Sequence, residues 1–442
     1  MYWSENPSDF KPQKFYTIPL YLIVVNSNMN NMKNFYFKLS TLVVIILCTY
    51  QTPLYSQEHS FDSLLIENRY EIDLKDGLYS GTGLNFLMNE AENSSFFSIC
   101  EEHNLLELNE ISSFLFEKFN KMYNYNYLVL EQGVAISSLL GSEANRKSFD
   151  AVADVARRYP QSPTFATDEE LKLISDVGMV SKSSTNPIWG IDQDLGGLHI
   201  LERLVGLAPN KLAKAKAKEL SNLARHYEMD RINGDTLFMA MVATPELFAQ
   251  LNELFKPMPS SETEWLIEAL QRSTRIYYNN YLGRKGKPTS YESGRERENS
   301  MKLRFMENYN KAENAGAEDI KAFVKMGHYH LLRGIYKLNV PTFGNFLSEF
   351  AISKNANSFL ISSYTFGSPD KYRNIGGPLV EAASKKKFTI YDLRPLRPYA
   401  HQGSIKDLSD YYKQLIFSAD AVLIIREGHT GSYDIVKSAI KN

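Results

Sequence analysis

Four apolar runs in the sequence each finish in residues able to move a proton. Phe96-Phe97-Ser98-Ile99 leads into Cys100-Glu101-Glu102-His103, and Tyr127-Leu128-Val129-Leu130 into Glu131. Ile188-Trp189-Gly190-Ile191 leads into Asp192, and Phe323-Val324-Lys325-Met326 into Gly327-His328-Tyr329-His330. Histidine titrates near neutrality and can take a proton from water, while a carboxylate on its other nitrogen fixes the tautomer and stabilises the imidazolium. An acidic side chain closing an apolar strand is costly unless it has a partner or faces a cleft. These residue types predict water activation, with His103 as general base and Glu101 or Glu131 as its orienting group. His330 and Arg297 would stabilise the oxygen that turns negative when a carbonyl is attacked. Glu107, one helical turn beyond His103, joins Asp192 and His328 in supporting or substrate-binding positions. Such a site hydrolyses esters or lactones without a covalent intermediate. The same donors also suit a divalent cation, with Glu101, His103, Glu131 and His330 as the alternative ligands.

Each group also has a plainer role. Glu101, His103 and Glu131 can form a buried ion-pair network that only tunes packing. His328 and His330 suit a surface turn, and Asp192 before Gln193-Asp194 suits a helix cap. Arg297 lies in Arg295-Glu296-Arg297-Glu298, a charge run typical of a solvated helix start. Cys100 reads as a core thiol. What favours chemistry is the convergence of four strand ends, because open α/β sheets build their sites beyond the carboxyl ends of their strands.

The elements that must position these groups follow from periodicity. Phe359-Leu360-Ile361, Phe388-Thr389-Ile390-Tyr391 and Ala421-Val422-Leu423-Ile424-Ile425 have the length and apolar content of further strands. Leu108, Ile111, Leu115, Phe119 and Met122 recur at helical spacing between the first two runs. Strand, helix and strand within about thirty-five residues predict a βαβ unit with its strands parallel and side by side. Residues 141–311 read mostly as helix, including Lys211 to His226 and Glu262 to Tyr277, with an exposed loop at Gly283 to Ser293. The expected fold is α/β: a mixed, mainly parallel sheet flanked by helices, carrying this large helical insertion within one domain at 57–442.

The chain has 442 residues, 49 Lys plus Arg against 51 Asp plus Glu, and only Cys48 and Cys100 as thiols. Near-neutral charge offers no footprint for nucleic acid, and two cysteines exclude a disulfide framework or a cysteine-rich zinc module. Residues 32–56 carry a basic start (Lys33, Lys38), an apolar run from Leu42 to Cys48 and a small residue, Ser56, before Gln57. That is the pattern of a secretory signal peptide, preceded by an extension at 1–31, and it predicts an exported protein with no stable span in the mature chain.

The motifs resemble the erythromycin-esterase-like and ChaN/TIKI/TraB superfamily. Gly327-His328-Tyr329-His330 fits its Gly-x-x-His pattern, and Cys100-Glu101-Glu102-His103 fits with Cys in place of Gly. Glu107 matches the family glutamate one turn after the histidine, and Glu131 the glutamate closing the next strand. Arg297-Glu298-Asn299-Ser300-Met301 is similar to the Arg-acidic-x-x-Met helix start of erythromycin esterases. His-Asn-x-His in those enzymes becomes His-Tyr-His here, and their first Glu and His stand one residue further apart. The resemblance implies an α/β fold and a small-molecule substrate. It divides the activity three ways: histidine-driven ester hydrolysis without a cofactor, metal-dependent peptide hydrolysis, or haem binding without turnover.

Overall fold

A computed structural model describes residues 59–440, apart from 233–236, 257–259, 336–338 and 370–373. Residues 32–56, where a signal peptide is expected, and the extension at 1–31 lie outside the described residues. All seven apolar runs become strands: β4 (Phe96–Glu101), β5 (Tyr125–Gly133), β6 (Ile188–Asp192), β7 (Lys321–Gly327), β8 (Ser358–Phe366), β9 (Phe388–Asp392) and β11 (Ala421–Arg426). With β2 (Arg69–Lys75) and β3 (Leu78–Ser80) they form a nine-stranded sheet in the order β3-β2-β9-β11-β8-β4-β7-β5-β6. Pairing is parallel from β11 to β6, while β9 and β3 run against their neighbours. A separate two-stranded ribbon pairs β1 (His59–Ser60) with β10 (Ile405–Lys406). The architecture is α/β with a mixed, mainly parallel sheet, as expected.

The βαβ expectation needs one correction. β4 and β5 are parallel, but they are not neighbours: β7, from near residue 320, lies between them and pairs with both. An apolar run reports that a strand is buried on both faces, and says nothing about which strand it lies beside.

Side chains alternate between the two faces of the sheet. Phe97, Ile99, Leu128, Leu130 and Phe323 pack into one core with helix α1 (Leu106–Tyr123), helix α2 (Val134–Ala144) and helix α3 (Asp168–Val180). Phe96, Cys100, Tyr127, Val129, Val324 and Met326 pack into the other. The helical stretch carries α4 (Lys211–Ile232), α5 (Ser261–Arg284) and α6 (Ser290–Asn314). Of these, α6 covers the second core with Met301 and Phe305, beside α7 (Phe343–Ser353). The loop expected at 283–293 shortens to residues 285–289 because α5 and α6 each extend further than their apolar spacing indicates. Among the described residues no helix is long and apolar enough to cross a membrane.

Candidate active site

The four strands that end in ionisable residues, β4, β7, β5 and β6, are consecutive in the sheet. Their carboxyl ends gather two charged networks, one on each face. On the α1–α3 face, Glu101 binds Lys325, and Lys325 Nζ also donates to Glu170 Oε2 at 2.6 Å. Lys325 alternates with Val324 and Met326 along β7, so it faces α3, where Glu170 stands. On the α6 face, Arg297 Nε donates to Asp192 Oδ1 (2.9 Å) and Arg297 Nη2 to Glu131 Oε1 (2.8 Å). Behind Glu131, His330 Nε2 lies 3.4 Å from Oε1, and His330 Nδ1 is 2.5 Å from Glu298 Oε1. Glu298 Oε2 in turn accepts the Phe343 backbone N–H at 2.7 Å.

His103 joins the two networks over the sheet edge. Its Nδ1 is 3.0 Å from Glu101 Oε1 and its Nε2 is 3.7 Å from Glu131 Oε2. The imidazole can reach across β7 only because that strand ends in glycine. A Cβ on Gly327 would stand 2.9 Å from His103 Nε2 and 3.0 Å from Glu131 Oε2. The Gly327 N–H also donates to Glu131 Oε2 at 2.8 Å, fixing that carboxylate beside the gap. Gly327→Ala is therefore expected to push the His103 ring off Glu131. The clash falls on the far end of a side chain, so a thermal melt should change little, while any turnover that uses His103 should fall by roughly 10- to 100-fold.

Electrostatics follow from these contacts. Burial pushes the Glu101 carboxyl up, but the Lys325 ammonium and the His103 bond outweigh it and hold the group at about 2. Glu131 is held below its usual range too: burial opposes this, and His330, His103 and Arg297 together prevail. Burial alone would lower His103, yet Glu101 and Glu131 raise it above its ordinary 6.5. Glu170 is raised, first by burial and then by Glu101, because it shares its one cation with that carboxylate. An ionised Glu101 only accepts hydrogen bonds, so the proton of neutral His103 sits on Nδ1 and the basic lone pair on Nε2.

The remaining expected residues divide. Glu107 is not one turn beyond His103 on a helix, because α1 begins at Leu106 and His103 stands in the preceding loop, where Asn104 takes a left-handed φ of 65°. Glu107 instead accepts from Lys387 Nζ (2.9 Å) and the His429 N–H (2.8 Å). The strand-like contact of Leu105 with Thr430 and the Gly431 N–H bond to Asn104 (2.8 Å) then pin the His103 loop, so Glu107 supports the site from outside it. Arg297 is not at a helix start but inside α6, and it takes part in the site. Asp192 binds Arg297; the helix-capping role belongs to Asp194, which accepts from the Ala135 and Ile136 N–H groups at 3.1 Å. His328 packs beside Tyr364, ring centroids 4.9 Å apart, and burial pushes it down to about 4, so it is neutral. Cys100 is a buried core residue whose thiol is raised by burial. Lys325 and Glu170, outside every motif, complete the site with Gly327 and Glu298, which the motifs contain without a role assigned to them. Lys325 inside an otherwise apolar strand is visible in the sequence, whereas Glu170 is not.

The four donors named as alternative metal ligands are already engaged with one another and with fixed cations. Both Glu101 and Glu131 already bind fixed cations, Lys325 and Arg297, and the ring nitrogens of His103 and His330 all face carboxylates. Among the described residues no three His, Cys, Asp or Glu side chains gather as ligands around one point.

The mixed, mainly parallel sheet with its flanking helices is a fold shared with proteins of known structure. A mutant of the erythromycin esterase EreC, in its open conformation, superposes with a TM-score of 0.53 at 13% identity, over 82% of this chain and 99% of that one. A Bacillus cereus protein (TM-score 0.53, 14% identity, 84% and 98% covered) and a succinoglycan biosynthesis protein (0.52, 14%, 84% and 97%) superpose equally well. The chain thus has an erythromycin-esterase-like fold. No protein-family model and no curated protein matches it in sequence.

Proposed function

We propose that the chain is an exported hydrolase that uses His103 to drive water onto an ester or lactone carbonyl. The observation that carries this reading is the setting of one imidazole: part-exposed at the sheet edge, with Nδ1 on one buried carboxylate and Nε2 facing another. The attacking water is placed beside the 3.7 Å Nε2–Glu131 pair, on its open side, where it can donate to Nε2. As it attacks the carbonyl, its proton passes to Nε2, and the imidazolium forms between two carboxylates that favour it. The oxygen that turns negative faces Arg297, whose side chain is 25% exposed, against 3% for His330. His330 is therefore assigned to hold Glu131 and not to touch substrate. Collapse of the tetrahedral species returns the proton from Nε2 to the departing alkoxide, giving one acid and one alcohol. Export is carried by the pattern at 32–56, and the fold shared with an erythromycin esterase supports hydrolysis of a small molecule.

The test is a panel of aryl esters and lactones followed by acid release across pH. The base works when neutral, and its pKa lies above 6.5, so kcat/KM should rise with pH through that raised value and then level off. Stability runs the other way. A raised folded pKa contributes stability that is complete below the unfolded value and is lost as pH climbs through the folded one. Failure of the wild type to hydrolyse any panel member, or a profile flat across this window, would overturn the proposal.

A further inference from the structure

Phe165 belongs to none of the motifs, yet its ring lies flat on the His103 imidazole, centroids 3.9 Å apart and planes 15° from parallel. It sits in residues 159–167, an irregular segment leading into α3. Such a segment holds a ring in place only if its own backbone is tied down. It is tied at three points. Gln132, fully buried and next after Glu131 in β5, donates from Nε2 to the Phe165 carbonyl (2.5 Å) and accepts the Thr164 N–H on Oε1 (2.8 Å). Ser162 Oγ is 3.1 Å from His199 Nδ1, and His199 Nε2 is 3.3 Å from Asp194 Oδ1, in the chain just past Asp192. Thr167 caps α3 by accepting the Glu170 N–H at 3.2 Å. The ties lead back to β5, β6 and α3, the elements that deliver Glu131, Asp192 and Glu170.

We propose that Phe165, held by the Gln132 amide, is a positioning residue that fixes the plane of the His103 ring for proton transfer. The inference rests on the hydrolase reading and deepens it. A turn of the His103 ring about its Cβ–Cγ bond would exchange the faces of its two nitrogens and take Nδ1 off Glu101. A flat neighbour at stacking distance blocks that turn. The electron-rich face of the phenyl ring also attracts the imidazolium once the proton has arrived.

The experiment is NMR of the full chain with labelled histidine, the His103 Hε1 resonance being assigned by its loss in His103→Gln, run beside ester hydrolysis. In the wild type the phenyl face should shift this resonance upfield. Phe165→Leu should abolish the shift and lower kcat about tenfold or more with the melt unchanged, because orientation and not folding is lost. Phe165→Tyr should restore both, and Gln132→Leu should move the same resonance. A resonance indifferent to Phe165→Leu, or a Tyr variant no better than the Leu variant, would overturn the proposal. Should the resonance behave as expected in a protein that hydrolyses no ester, the positioning stands and the hydrolase reading fails. Should esters be cleaved equally with and without Phe165, the positioning fails alone.

Discussion

His103→Ala is expected to lower ester hydrolysis by about 10²- to 10⁴-fold, the usual contribution of a positioned general base. The loss should fall on kcat, because the imidazole does its work only as the water attacks. Folding should survive, since the ring is partly exposed and its removal leaves Glu101 on Lys325 and Glu131 on Arg297. His103→Gln keeps a polar group of similar length and should be just as inactive, which separates proton transfer from hydrogen bonding. A His103→Ala enzyme that hydrolyses the ester panel at the wild-type rate would remove the catalytic assignment altogether.

Lys325→Met is expected to cost about 3–5 kcal/mol of stability, the range for breaking a buried ion pair by removing one partner. The upper end applies, because this ammonium is wholly buried and serves two carboxylates, Glu101 and Glu170. Without it both must protonate or stay charged in the core. Urea unfolding at neutral pH would measure the loss, and a second substitution sorts its cause. Glu170→Leu added to Lys325→Met removes one stranded carboxylate and should recover part of the deficit, whereas independent sites would simply add. An unchanged urea midpoint in Lys325→Met would mean that the three charges are not coupled as their contacts indicate.

The seven apolar runs and the ionisable residues that close them were legible because burial on both faces and a costly polar terminus each leave a local mark. β2, next to the edge strand β3, leaves a different mark, the strict polar/apolar alternation of Arg-Tyr-Glu-Ile-Asp-Leu-Lys, which a search for continuous apolar runs passes over. Strand order was also out of reach, and with it the reason His103 meets Glu131. Neighbours in a sheet are chosen by tertiary packing, so only the structure shows Gly327 standing between them. Lys325 was visible inside an apolar run, but its meaning depended on Glu170, which looks like an ordinary acidic residue in the first turn of a helix. Glu107 kept its expected spacing and lost its expected place, because the loop before α1 runs longer than the motif spacing implies. Phe165 carries no ionisable group, and its stacking distance belongs to the fold alone.

The insertion of β7 between β4 and β5 has a bearing on how the molecule is made. β7 begins at Lys321, long after β4 ends at Glu101 and β5 at Gly133, so the centre of the sheet cannot zip up until the chain has been made past residue 327. A nascent fragment ending before Lys321 would leave β4 unpaired on both sides and β5 on one, with no reaction centre. Assembly is thus postponed until nearly three-quarters of the polypeptide is available, and the newly made amino-terminal strands must stay unpaired until then.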